Sequence, residues 1–349
     1  MSLSIFSEQA EALDRGTADS LAVLPALCAA GFAGAGVPTS HGGSGGDARD
    51  AVRAVATVAE QSMTAAFMLW GHRCCVEYLL QAETPALADR WLPALLAGQR
   101  AGATGLSNAM KHLAGLEPLQ VRAQVDGATW TLDGRLPWVT NLRPTGFLVA
   151  AAVDRADGGP SAVALLDSDF PGVQRSADLD LIALRGSHTA AIAVQHVRQP
   201  AEALLLTEQA ATWLPRVRPA FLGTQCGLSI GLARAALAAA RDAGSEARPV
   251  LAAPLADTSQ RLDAAEAALF EGLADRRFET QCAPLFRLRI ALAALAQQAV
   301  QLELQARGGA AYLTQRHGGF ARRWAEAAFI PVITPSLTQL QAQLARHGG

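Results

Sequence analysis

Asp133-Gly134-Arg135-Leu136-Pro137-Trp138-Val139-Thr140-Asn141 is the stretch whose reading decides the rest. Asp-Gly is a dipeptide of tight turns between paired strands. Beyond it Trp138 and Thr140 stand two residues apart, and residues i and i+2 of a strand share a face. An indole beside a hydroxyl suits a flat heteroaromatic ligand. Trp and Thr are equally ordinary strand formers, so the stretch alone leaves a ligand site and a plain strand both open.

Outward from it, residues 101–205 keep a strand pattern. Val121 to Val125 and Thr129 to Leu132 alternate around Asp126-Gly127, and Asp133-Gly134 is expected to be a second turn. Gly146 to Val153, Ser161 to Leu166 and Ala190 to Val197 read as further strands. The expectation is a central antiparallel β-barrel or sandwich. Residues 1–100 carry helical spacing instead. Leu21, Leu24, Leu27 and Cys28 share a face before Gly31, and Asp47 caps a helix bearing Ala51, Val52, Val55 and Val58. A third helix spans about 63–80 and a fourth passes through Trp91. The Gly-rich segment Val37 to Gly46 is a loop. From 206 to 349 the chain reads as a four-helix bundle, with helices near 216–243, 257–280, 284–307 and 321–346. The fold class is therefore α+β, mainly α.

Composition narrows the partners. Of 349 residues 50% are hydrophobic and 17% charged, with a net charge of −2. That excludes a basic nucleic-acid surface. Lys111 is the only lysine, which removes most lysine chemistry. Cys28, Cys74, Cys75, Cys226 and Cys282 have no CxxC or zinc spacing, so reduced thiols and no metal are expected. Apolar runs are broken before membrane-spanning length and no signal peptide is visible. The expectation is a cytoplasmic protein.

Several segments in order carry a resemblance. They are Ala29 to Gly34 leading to Val37-Pro38, His72 ahead of Trp91-Leu92-Pro93, and Gly134 to Asn141 on G-x-x-x-W-[IV]-T-N. Leu184 to Thr189 and Gln305 to Tyr312, the latter on Q-x-x-G-G-x-G-Y, complete the set. In this order the chain resembles the acyl-CoA dehydrogenase family of flavoproteins. The resemblance implies FAD between the β domain and the bundle, an acyl-CoA or related small-molecule substrate, and a homodimer or homotetramer. It assigns Trp138 to the flavin ring and Thr140 to its N5 edge. Gly308 and Gly309 fall where FAD approaches the bundle.

Departures from the family pattern concern the chemistry. The T-E-P-x-x-G-S-D segment aligns with Asn108 to Gly115, where its signature residues are gone; Leu106, Ser107 and Asn108 remain as candidate flavin contacts. Arg248 replaces the family's phosphate-binding motif as a candidate anion contact. Abstraction of an α-proton needs a general base, normally a carboxylate. The family's Y-E-G-T falls on Ile333 to Ser336, so Thr334 occupies the Glu position and Ser336 that of the last hydroxyl. The family's second base location lies on the first bundle helix, and no Asp or Glu occurs between Glu208 and Asp242. The catalytic residue is thus unassigned. His188, His196 and Glu326 are weaker candidates, and Arg216 and Arg218 fall near the family's CoA region. Three functions follow: an FAD-binding oxidoreductase acting on CH–CH bonds of an acyl thioester with a non-standard or missing base, a flavin-dependent monooxygenase of the same fold, or a catalytically silent partner or ligand-binding protein.

Overall fold

The computed structural model describes residues 4–113, 117–207, 210–243, 248–313 and 319–346. Five helices come first: α1 (Ser4–Arg15), α2 (Val23–Ala29), α3 (Ala48–Gln61), α4 (Met63–Leu80) and α5 (Pro85–Leu96). The Asp47 carboxylate accepts the Arg49 amide while Asp50 reaches back to the Asp47 amide, a capping box that starts α3. α4 is buried on nearly every side, which explains its lack of a polar face.

Strands follow: β1 (Ala101–Thr104), then the short α6 (Ser107–Leu113), β2 (Val121–Asp126), β3 (Thr129–Val139), β4 (Phe147–Arg155), β5 (Ala162–Asp167), β6 (Val173–Asp178), β7 (Ala190–Pro200) and β8 (Leu204–Leu206). They form one sheet in the order β6-β7-β3-β2-β4-β5-β8, with β1 added beside β4. The sheet is not closed, and β1 and β2 run parallel to β4, so it is mixed where antiparallel pairing alone was expected. Alternate β4 residues serve different cores. Leu148, Ala150 and Ala152 face the helices, whereas Phe147, Val149, Ala151 and Val153 face a core belonging to the sheet. That two-sided burial accounts for an uninterrupted apolar run.

Asp133-Gly134 is not a turn. β3 runs straight through it, and the pairing with β7 slips between Leu132 and Gly134, as at a bulge. Gly134 has φ +146°, and a Cβ there would overlap the Gln120 carbonyl oxygen. The glycine is required by this close backbone approach. The true hairpin turn is Asp126-Gly127.

The C-terminal part holds α7 (Ala210–Asp242), α8 (Arg248–Ala274), α9 (Arg277–Thr280), α10 (Cys282–Arg307), α11 (Phe320–Phe329) and α12 (Leu337–Arg346). α3 and α10 both pack along α7. Two expectations change here. The helix expected at 257 begins at Arg248 and continues through Pro254; the Thr258 hydroxyl donates to the Pro254 carbonyl at 2.8 Å. The helix expected over 321–346 is two helices separated by Ile330–Val332, a single 3-10 turn, and the corner at Thr334-Pro335, because prolines at 331 and 335 lack the amides a helix needs.

Replacing Gly134 with Ala should lower stability by roughly 2 kcal/mol or more. A thermal melt of that variant beside Gly127→Ala, where a Cβ meets nothing within 4 Å, checks the assignment. Equal melting temperatures would contradict it.

Candidate functional site

A cavity of ≈350 Å³ lies between α4, α7, α10 and α12. Tyr78 of α4 closes one side, and its hydroxyl is 2.9 Å from Thr104 Oγ1 at the end of β1. Leu106 lines the cavity just after that strand. α7 contributes Leu214, Pro215, Val217, Arg218, Phe221 and Leu222, while Phe286, Pro335, Leu340, Gln343 and Arg346 complete the wall. No Asp, Glu or His is among these residues. The ionisable groups are two arginines and one tyrosine, and burial pushes the Tyr78 phenol well above its usual range.

Thr334 sits beside this cavity, with Pro335 forming the wall. Its carbonyl accepts from Gln225 Nε2 at 3.1 Å. Ser336 has another occupation: its hydroxyl accepts the Gln339 amide at 3.3 Å and Gln339 Oε1 accepts the Ser336 amide at 2.7 Å. This reciprocal pair caps α12, and the Ser336 hydroxyl, which accepts there, keeps its own proton to donate. Asn108 is likewise engaged. Its side-chain amide donates to Glu117 Oε1 at 2.7 Å and the Pro118 carbonyl at 3.0 Å, and its oxygen accepts the Gln120 amide at 2.8 Å. Asn108 therefore ties α6 to the start of β2. Ser107 opens α6. Arg248 opens α8, and its side chain lies outside the described residues, as do Glu208 and the segments 114–116 and 244–247.

Trp138 is 59% exposed and Thr140 only 6%. The β3–β7 register shifts again between Leu136 and Val139, ahead of Thr140, and Leu136 and Val139 both belong to the sheet's core. Thr140 Oγ1 lies 2.5 Å from Thr189 Oγ1, which lies 2.8 Å from Ser187 Oγ. Asn141 follows in the left-handed region at φ 62°, which Asn tolerates better than most residues. Its side-chain amide donates to the Gly102 carbonyl at 2.8 Å and its backbone amide to the Ser187 carbonyl at 3.0 Å. The strand end is thus fastened with one hydroxyl inside and one indole outside. Gly308 and Gly309 follow α10, and an added Cβ at either meets nothing within 4 Å. Tyr312 nearby in sequence is 80% exposed.

Trp138 and Thr140 supply groups of the kind a flavin ring calls for. The uncovered indole, the hydroxyl chain behind it and the open glycine backbone are groups that can border a flat ring. The phosphate end has less support, since Asn108 is engaged elsewhere.

The histidines serve the scaffold. His72 is fully buried, and its Nδ1 accepts the Gly102 amide at 2.9 Å. Burial pushes its pKa down to about 3, helped by the neighbouring Arg73 charge. His188 Nε2 is 3.0 Å from Ser20 Oγ, joining the first helices to the sheet, and His196 is exposed beside Asp133. Glu326 is buried against Arg322 at 2.7 Å. Arg216 is exposed. The sequence reading missed Arg289 and Gln225. Arg289 occupies a core position of the Leu285, Phe286, Leu292, Ala293 stripe, and a charged residue on that stripe was the available signal.

An N-terminal helical layer, an open sheet and a C-terminal bundle around an apolar cavity define an acyl-CoA dehydrogenase type of fold. Butyryl-CoA dehydrogenase from Megasphaera elsdenii superposes with TM-score 0.83 at 22% identity, covering 99% of this chain and 96% of that one. Residues 5–99 match the family described as acyl-CoA dehydrogenase, N-terminal domain. The short-chain specific acyl-CoA dehydrogenase of M. elsdenii is 28% identical over 187 residues, 51% of this chain and 48% of that protein. The mitochondrial isovaleryl-CoA dehydrogenase of Pongo abelii is 24% identical over 182 residues, 50% and 42% respectively. The chain spans about half the length of these curated relatives in the match. The chain has the acyl-CoA dehydrogenase fold, and its N-terminal part matches that family. Among the described residues no helix is long and apolar enough to cross a membrane, and no group of three His, Cys, Asp or Glu could hold a metal.

His72 provides a pH test. Its folded pKa, about 3, lies below the ordinary 6.5, so the unfolded chain binds more protons between those values. Its contribution to stability is present above pH 6.5 and declines as pH falls towards 3, by at most about 1.4 kcal/mol per pH unit. His72→Asn keeps an acceptor for the Gly102 amide without titrating. Denaturant melts from pH 7 to pH 4 should show a shallower loss for the variant than for the parent.

Proposed function

We propose that this protein is a flavin-dependent oxidoreductase acting on an acyl group carried as a thioester, without a carboxylate base in its cavity. The observation that carries the reading is the cavity lining itself: apolar side chains, two arginines and no acid. Bound flavin, taken here as FAD, would supply the two-electron chemistry. Trp138 would cover the ring and Thr140 would offer its hydroxyl at the ring edge, held in orientation by Thr189 and Ser187. Leu106 and Ser107 would border the ring, and Gly308 and Gly309 would allow close backbone approach. Tyr78, Phe221 and Phe286 would exclude water from the acyl chain. The cavity matches an acyl chain in being long-walled and apolar. The exposed Trp138 and Tyr312 suit burial against a second copy, as in a homodimer or homotetramer.

The same cavity favours a second reading over ordinary dehydrogenation. Removing an α-proton calls for a base within hydrogen-bond reach, and Thr334 offers a hydroxyl of very high pKa. An oxygen-using monooxygenase reaction on the same fold does not call for that base. The two readings share flavin and cavity and differ in the electron acceptor.

Purified protein mixed with FAD, and separately with FMN, should retain flavin absorption after gel filtration, and Thr140→Val should weaken that retention. A colourless protein with unchanged flavin fluorescence would sink both readings. Under anaerobic conditions acyl-CoA substrates should bleach the parent slowly or not at all. Thr334→Glu should gain dehydrogenase turnover with a dye acceptor by at least about tenfold, within the usual range for a general base. Substrate-dependent oxygen uptake by the parent would select the monooxygenase.

A further inference from the structure

Behind the cavity wall lies a cation with no counter-charge among the described residues. Arg289 is on the buried face of α10 and is 0% exposed. It comes one turn after Phe286, a wall residue. Its Nε donates to Gln225 Oε1 at 2.7 Å and its Nη2 to the Ile330 carbonyl at 2.9 Å. Nη1 is buried and meets no acceptor. Gln225 donates in turn to the Thr334 carbonyl. Gln225 follows the wall residues Phe221 and Leu222 by about one turn, and Thr334 directly precedes the wall residue Pro335. The guanidinium therefore backs the place where α7, α10 and the Thr334-Pro335 corner meet.

None of these partners is charged. The one ionisable neighbour whose charge reaches Arg289 is Cys226, and burial pushes that thiol up to about 12, leaving it neutral. Burial also pulls Arg289 below the usual arginine range, yet a guanidinium remains protonated in proteins. Of the other buried arginines, Arg73 also reaches a carbonyl, that of Ala33 at 2.9 Å, and is influenced by the Glu77 charge, whereas Arg322 and Arg323 differ in kind. Arg323 grips Glu303 at 2.6 and 2.8 Å, and Arg322 meets Glu326. A buried charge without a partner is strongly disfavoured. Arg289 has neither a carboxylate nor a full set of acceptors, and the cavity in front of it contains no acid.

We propose that the cavity takes an acyl group whose end remote from the thioester carries a carboxylate, the counter-charge that Arg289 lacks. This rests on the acyl-thioester reading above and narrows its substrate class. Attraction across protein interior is much stronger than across water, so a carboxylate at the wall gains from Arg289 without direct exposure of the guanidinium. Arg218, a cavity residue with no ion pair among the described residues, adds to the same potential. Leu106, Val217, Phe221 and Leu340 cover the methylenes between. A neutral alkyl end would leave the cation as it is.

The test compares two pantetheine thioesters of equal chain length, adipoyl and hexanoyl, binding to the full chain by calorimetry. Neither carries a phosphate, and flavin is not required. Adipoyl-pantetheine should bind at least about tenfold more tightly, equivalent to about 1.4 kcal/mol. The preference should persist at high salt, since a buried charge is little screened. Arg289→Met should remove the preference while hexanoyl binding remains, and Arg289→Lys should restore part of it. Should the Met variant not fold, the parent comparison and the Lys variant still decide. Equal affinities, a hexanoyl preference or no binding of either thioester overturns the proposal. Equal binding with retained flavin overturns this inference alone, whereas an adipoyl preference in a protein that rejects flavin overturns the flavin reading alone.

Discussion

The arrangement depends on how closely α3 lies against α7. A Cβ at Gly227 would stand 2.8 Å from the Val52 carbonyl oxygen, and one at Gly231 would overlap the Ala56 carbonyl. The two helices meet backbone to backbone, which only residues without a side chain permit. With α3 set there, α4 comes beside α7. Trp70 lies 5.5 Å from Phe221 between ring centroids, and its indole N–H donates to the Phe221 carbonyl at 3.4 Å. Phe67 stacks on Trp70 at 5.3 Å and meets Phe329 edge-on at 5.1 Å. Residues from both ends of the chain thereby share one core. The cavity forms along the earlier part of α7, at Leu214 to Leu222, away from the glycine contact.

Buried ion pairs then fix the C-terminal segment that completes the cavity. Glu303 on α10 accepts from Arg323 on α11 and from Arg307 at 2.7 Å. Removing one member of such a group leaves an unpaired buried charge, which costs far more than the pair contributes. Arg322 on α11 lies 3.9 Å from Glu11 of α1, and Asp14 of α1 accepts the Leu184 amide at 2.7 Å. α11 is therefore held from both sides, by the bundle and by the first helix. The Thr334-Pro335 corner follows directly from α11, so the position of the cavity wall is set by these charges rather than by the corner's own sequence.

Local signals were legible and non-local ones were not. Asp47 before an apolar-periodic run marked the start of α3, because a cap and a helical stripe are both written within a few residues. Asp133-Gly134 misled because the glycine answers a backbone approach by Gln120, a contact across strands with no local trace. β6 was missed because Val173 to Asp178 lies at a solvated edge and buries almost nothing, and β8 because it is only three residues long. Trp138 and Thr140 differ in burial, 59% against 6% exposed, which their spacing alone does not reveal. At the site, the absence of Asp and Glu on α7 before its last residue, Asp242, could be read by inspection. The occupation of Asn108 and Ser336 could not, since both depend on which partners the fold supplies.

Neither Thr334 nor Arg289 brings negative charge to the cavity. Thr334 contributes its backbone carbonyl to the Gln225–Arg289 chain. A buried guanidinium still attracts an anion, and none of the cavity-lining side chains provides one. The cavity is consequently suited to receive negative charge from a ligand rather than to hold one for proton abstraction. This inverts the electrostatics that α-proton removal requires, where an anionic group of the protein faces a neutral substrate.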